Sequence, residues 1–301
     1  MVKVHSIVMT RNDDLIIEHW IEKHVKIFEN ISVVDGSDGD FTKNLCEKYN
    51  LFYTRDPKPT DTKPFHEQYL REAAHNLLVD AGVLGIGDWI VCSQADEWYY
   101  HDPRKVINHV EPNVDVISWN QLNILPHPSE KEIYLSCTDY NPTKIFKHYW
   151  VRDNYKTCFE PRMFKYSGNE VWSHHIPSGN PVAGRIEPVS HNTKSHLIPT
   201  YYHYKVFDLN PEKYKSDGFG HFTKSRLNTG LGYGKGGSAR SINNFEDLFF
   251  DESNIYCNLG RGDDGSEYIH GYCLKIPDDG LLPENVPFNV LGNDSKFLLT
   301  E

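Results

Sequence analysis

The sequence predicts an α/β protein: a mixed, mostly parallel, Rossmann-like sheet flanked by helices, followed by an irregular C-terminal extension. Three observations lead there. Short apolar, β-branched runs alternate with stretches of helical apolar spacing from Val4 to Ser93. Each run is followed by a polar, turn-rich segment, and parallel α/β sheets bind their ligands at that end of their strands. Beyond Asp102 the alternation is lost and strand-like runs dominate.

Taken in order, Val4 to Thr10 forms the first strand, and Asn12 is the N-cap of a helix whose apolar positions Ile16, Ile17, Trp20, Ile21, Val25 and Phe28 share one face. Ile31 to Val34 is a second buried strand, running into the turn Asp35 to Asp40. Thr42 to Tyr49 is helical, Leu51 to Thr54 is the third strand, and a loop holding Pro57, Pro59 and Pro64 leads to a helix from Phe65 to Ala81. Gly82 to Gly87 stops that helix before a fourth strand, Trp89 to Ser93. Asp102-Pro103 reads as an N-cap and first helical residue. Strand-like runs then follow at Val114 to Leu122, Lys144 to Phe146, Arg162 to Tyr166 and Tyr201 to Val206. Asn210-Pro211-Glu212 opens another helix, and Gly230 to Gly237 is a flexible lid or linker that lacks the Gly-Lys-Ser/Thr ending of a phosphate loop. Residues 1–210 are thus expected to form the main domain and 211–301 a helical and loop extension, acting as a lid or an acceptor-binding element.

Composition excludes several function classes. With Lys+Arg 31 against Asp+Glu 42 the net charge is −11, which opposes attraction to nucleic acid or to an anionic membrane. No apolar run approaches the roughly 18 residues of a membrane helix, and the first residues carry no cleavable leader pattern. The expected location is cytoplasmic. The cysteines (Cys46, Cys92, Cys137, Cys158, Cys257, Cys273) form no C-x-x-C pair and read as free thiols.

Three loops that follow strands converge on one crevice: Thr10-Arg11-Asn12, Asp35 to Asp40, and Gln94-Ala95-Asp96-Glu97. The last is the most informative. A buried strand delivering two adjacent carboxylates to the ligand edge makes a hard, oxygen-rich site suited to Mg²⁺ or Mn²⁺ beside a diphosphate. Arg11-Asn12-Asp13, then Ile17 to Ile21, then Val33-Val34-Asp35-Gly36-Ser37, then Gly87 to Ile90 leading into Ala95-Asp96-Glu97-Trp98, resembles the ordered motif series of family-2-like glycosyltransferases of the GT-A (Rossmann-like) fold. The resemblance covers roughly residues 4 to 205 and lies in order and spacing.

The resemblance implies a nucleotide-sugar donor, with Asp35 contacting the base or ribose and Thr10 and Arg11 beneath the nucleotide. It implies a metal on Asp96, with Gln94 and Ala95 completing the motif. Gln94 stands where an aspartate is usual, so a further ligand is expected from elsewhere, and the family places a histidine late in the domain. His203 is the first candidate and His175 the second. Arg71 is placed to reach the diphosphate. Glu97 and Glu170 are the catalytic candidates, with Glu160 and Asp153 as further carboxylates able to act as base. Trp98, Trp119, Trp150 and Trp172 are available either as a sugar platform or as core. The expected activity is metal-assisted sugar transfer, most simply from a UDP-sugar to a glycan acceptor. Two alternatives compete: a metal-dependent hydrolase built on the histidine-rich second half, and a non-catalytic carbohydrate-binding protein.

Overall fold

The computed structural model describes residues 2–11, 13–37, 39–56, 67–124, 130, 132–133, 136–137, 141–145, 148–151, 159–172, 188, 190–191, 193–204 and 272–275. Strand β1 (Val4–Thr10) and strand β2 (Ile31–Asp35) are buried along their whole length. Their near-continuous apolar runs are what a parallel sheet covered on both faces requires. Helix α1 (Ile17–His24) connects them; its expected cap, Asn12, lies outside the described residues, and the Asp13 carbonyl accepts the Ile16 and Ile17 N–H groups. Helix α2 (Phe41–Lys48) leads to β3 (Phe52–Arg55), and helix α3 (Glu67–Asp80) to β4 (Trp89–Gln94).

All three ladders in this part are parallel, in the order β3-β2-β1-β4. The register pairs Thr10 with Asp35 and Met9 with Gln94, so the three strand ends expected to meet at one edge do so. Helix α3 packs across β1, β2 and β3, with the Ser32 hydroxyl donating to the Ala74 carbonyl at 2.7 Å. The core beneath it joins Ile7, Val34, Ala74, Leu78, Ile90 and Cys92 to Val116, Phe164 and Trp172.

After β4 come β5 (Glu97–Tyr99), the short helix α4 (Pro103–Val106) and β6 (Val116–Ile124). The Asp102 cap is as the sequence indicates: its carboxylate accepts the Arg104 N–H at 2.9 Å, with Pro103 in the first turn. Strand β8 (Phe159–Lys165) runs antiparallel to β4, from Trp89 opposite Lys165 to Val91 opposite Met163, and it is flanked on its other side by β6, whose register shifts between Ile117 and Ser118. Because β8 runs against β4, the residues before Met163 head toward the carboxyl edge. Strand β9 (Thr200–Tyr204) pairs with β5 and β6.

The described chain falls into two packing units, one holding residues up to Gln121 and those of 158–202, the other those of 122–157 and from His203 on. The division falls inside β6 and β9, each a continuous strand. Within the second unit, β7 (His148–Val151) pairs antiparallel with β10 (Tyr272–Lys275), and Asn123 of β6 pairs with Trp150. The strand expected over Lys144 to Phe146 is corrected at Lys144 and Ile145, and Phe146 lies outside the described residues. Pro142–Ile145 is a helical turn, α5, because Asn141 caps it: its Oδ1 accepts the Thr143 N–H at 3.1 Å and the Thr143 hydroxyl at 2.8 Å. The helix expected at Asn210 and the Gly230 to Gly237 segment lie outside the described residues. Among the described residues no helix is long and apolar enough to cross a membrane, and Cys46, Cys92 and Cys137 are in no disulfide.

Candidate functional site

Strand β4 ends at Gln94, and a two-residue turn, Ala95-Asp96, starts β5. The turn is held from both sides. The Gln94 N–H donates to the Glu97 Oε2 at 3.0 Å, and the Trp20 indole N–H of α1 donates to the Glu97 carbonyl at 2.8 Å. Behind it, the hydroxyls of Ser6, Ser93 and Tyr99 are linked at 2.9 Å each. An acidic turn of this sequence would ordinarily lie in solvent; here Asp96 is 1% exposed and Glu97 is 0% exposed.

Buried carboxylates require compensation, and β8 supplies it. The Arg162 Nη2 lies 2.6 Å from the Glu97 Oε1 and also pairs with Glu160, while its guanidinium sits over the Tyr201 ring, 5.4 Å from the centroid. Burial pushes the Glu97 carboxyl up to about 7 against the opposing pull of Arg162, with Asp96 and Glu160 adding to the rise and Arg71 opposing it. Arg71, on α3, is itself buried.

Strand β9, paired with β5, carries His203, which is also buried. Asp96, Glu97 and His203 each offer one ligand atom, and these atoms lie within 4.8 Å of one another. Two carboxylate oxygens and one imidazole nitrogen form a donor set suited to Mn²⁺ or Mg²⁺. Metal–ligand bonds of roughly 2.0–2.3 Å span such a separation after a small side-chain movement. Among the described residues this is the cluster whose donors fit a cation.

The other expected residues fall in three groups. At the same edge, the Thr10 hydroxyl and the Arg11 N–H both donate to Asp13 Oδ2, at 2.9 and 3.0 Å, and the exposed Arg11 side chain lies along Gly36. Asp35 is fully buried there; its carboxylate accepts the Ser37 N–H at 2.8 Å and the Tyr53 hydroxyl at 3.1 Å, so it shapes the loop that follows β2. Ala95 is buried and Gln94 half-buried.

Glu170 is drawn into a different setting. Its Oε1 accepts the Ser167 N–H at 2.6 Å and hydroxyl at 2.9 Å, and its carboxylate lies 3.9 Å from each of His75 and His191. Burial holds the His75 imidazole below its ordinary range despite that carboxylate. His175 and Asp153 lie outside the described residues. Trp98, Trp119 and Trp172 are all 3% exposed or less, which places them in packing and corrects the sugar-platform reading for those three. Arg162 is not among the site residues expected from the sequence, although a charge opening the strand-like run Arg162 to Tyr166 was a visible signal that something buried needs it.

No protein-family model matches the chain, and no curated protein matches it either. Among solved structures, the chain is similar to a 4-diphosphocytidyl-2C-methyl-D-erythritol synthase, at 10% identity over 71% of this chain and 96% of that one, with a TM-score of 0.37. It is also similar to the CTP:phosphocholine cytidylyltransferase of Streptococcus pneumoniae, at 13% identity over 55% of this chain and 68% of that one, with a TM-score of 0.27. The functional reading therefore rests on the site's own geometry.

Proposed function

We propose that the protein is a metal-assisted glycosyltransferase that moves a sugar from a nucleotide-sugar donor, most simply a UDP-sugar, to a hydroxyl of a glycan acceptor. The observation that carries this reading is the convergence of Asp96, Glu97 and His203 beside the edge where β1, β2 and β4 all end. Parallel α/β sheets bind nucleotides at that edge. Asp96 and His203, with Glu97, would hold Mn²⁺ or Mg²⁺. A cation bound there supplies charge that neutralises a departing diphosphate.

The chain's own groups do the rest. The Gln94 N–H and Arg162 fix the Glu97 carboxylate, and with it the Asp96 turn, in one orientation, so that little reorganisation remains when the donor binds. The buried Arg71 adds positive potential on the α3 side. The Arg11 side chain lies along Gly36 at the same edge. The test is calorimetry with UDP, GDP and CDP, each with Mn²⁺, followed by assay of UDP release from UDP-sugars with and without saccharide acceptors. Binding of one nucleoside diphosphate and acceptor-dependent release are expected. No binding at millimolar concentration refutes the reading, and release that ignores every acceptor turns it toward a hydrolase.

A further inference from the structure

We propose that Arg162 is a positioning residue that sets the order of binding: by pairing with Glu97 it keeps the Asp96–Glu97–His203 cluster weak toward a bare divalent cation, so that the cation is held firmly only together with an anionic diphosphate. This rests on the function proposed above, whose site it concerns.

The argument begins with charge. Arg162 is buried on the same side of the turn as Glu97, whose Oε1 it meets at 2.6 Å, and that carboxylate belongs to the cluster able to hold a cation. A cation entering the cluster must share Glu97 with the guanidinium or displace it, and the guanidinium cannot shed its charge. Glu160 offers Arg162 a second partner, with a side chain 24% exposed, but it sits on the same strand and moves the guanidinium no great distance. Among the described residues, Asp96 and Glu160 oppose the charge on Glu97, while Arg162 and Arg71 favour it. A bare divalent cation entering there meets the Arg162 guanidinium in a site shielded from water, where like charges repel most strongly.

Coordination leads to the same place. A hard divalent cation takes about six ligands, and the cluster offers three residues. Diphosphate oxygens bring both the missing ligands and the missing negative charge. Cation and nucleotide therefore bind with positive coupling, which is reciprocal: each tightens the other by the same factor. Had residue 162 been neutral, no fixed cation would stand against Glu97, the divalent cation alone would compensate its buried charge, and the coupling would shrink.

The experiment titrates Mn²⁺ alone into the full chain, following free Mn²⁺ by electron paramagnetic resonance, and repeats the titration with UDP present. Arg162→Met is expected to bind Mn²⁺ alone roughly tenfold tighter than the unsubstituted protein, with a correspondingly smaller gain from UDP. Arg162→Lys, which keeps the charge, should behave as the unsubstituted protein. Glu160→Gln leaves the guanidinium to Glu97 alone and should weaken Mn²⁺ binding; this variant decides the matter if Arg162→Met does not fold. Equal Mn²⁺ affinity in all forms, with UDP coupling intact, overturns the role of Arg162 while leaving the proposed function standing. Absence of Mn²⁺ binding in every form, with and without UDP, removes the site and overturns both.

Discussion

His24 makes the support beneath the Asp96 turn sensitive to acid. The ring is fully buried, stacked on Trp20 at 4.2 Å and facing Trp98 and Tyr99 edge-on at 5.9 and 5.8 Å. Its Nδ1–H donates to the Trp20 carbonyl at 2.7 Å, while Nε2 has no hydrogen-bond partner, so a proton added there would be buried without an acceptor. Burial, reinforced by Lys23, lowers its pKa from 6.5 to about 3. The folded protein therefore refuses a proton that the unfolded chain accepts. Stability is whole above pH 6.5 and falls as the pH drops toward 3, below which the curve is flat.

Integrating over that window, His24 alone removes about 2 kcal/mol by pH 5 and about 3 kcal/mol by pH 4. His101, which accepts the Thr200 N–H at 2.8 Å and is lowered to about 4 chiefly by burial, loses a similar amount by pH 5. Together they approach the lower end of the roughly 5–15 kcal/mol that stabilises a typical domain. Urea unfolding measured from pH 8 to pH 4 should show a plateau above pH 6.5 and, below it, stability falling by about 1.4 kcal/mol per pH unit for each histidine until its folded pKa is approached. In His24→Phe the ring stack is kept and one proton's worth of slope disappears, at a cost near neutral pH of about 1 kcal/mol for the lost hydrogen bond. An unchanged slope in that variant would refute the assignment.

Asp96→Asn should abolish most Mn²⁺-dependent nucleotide binding, read by calorimetry, while the thermal midpoint stays within a few degrees, because a buried amide replaces a buried charge of the same shape. Glu170→Gln should weaken the fold by about 1–3 kcal/mol through its contacts with Ser167, His75 and His191, and leave nucleotide binding by the folded protein intact; lost binding at full stability would instead return Glu170 to the site. Leu78→Ala, a fully buried α3 side chain, should cost about 2–5 kcal/mol in denaturant unfolding, and a smaller loss would show that the core under α3 collapses to fill the space.

What was legible in the sequence follows from period and position. Three of the first four strands, β1, β2 and β4, are short apolar runs buried on both sides, and the order of the strands, together with the helices between them, brings Thr10, Asp35 and Gln94 to one edge. Asp96 and His203 were both named from the sequence, and the structure brings them together. What remained hidden is pairing between distant segments. Nothing local says that Glu97 will meet Arg162 across an antiparallel strand, or that Glu170 will settle against two histidines, since both contacts depend on register rather than composition. The misread Lys144 to Phe146 has a local cause: Asn141-Pro142-Thr143 is a helix-starting signal that outweighs the strand preference of the residues after it.

The place of β8 between β4 and β6 also has a consequence for synthesis. Until residue 165 has left the ribosome, the apolar strand Trp89–Gln94 has a partner on one side only, β1, and its other side is an open row of backbone donors and acceptors. Such an unprotected edge recruits strands from other chains. A nascent chain stalled before β8 would thus present an aggregation-prone edge, and a cut made there would leave a fragment with that edge uncovered.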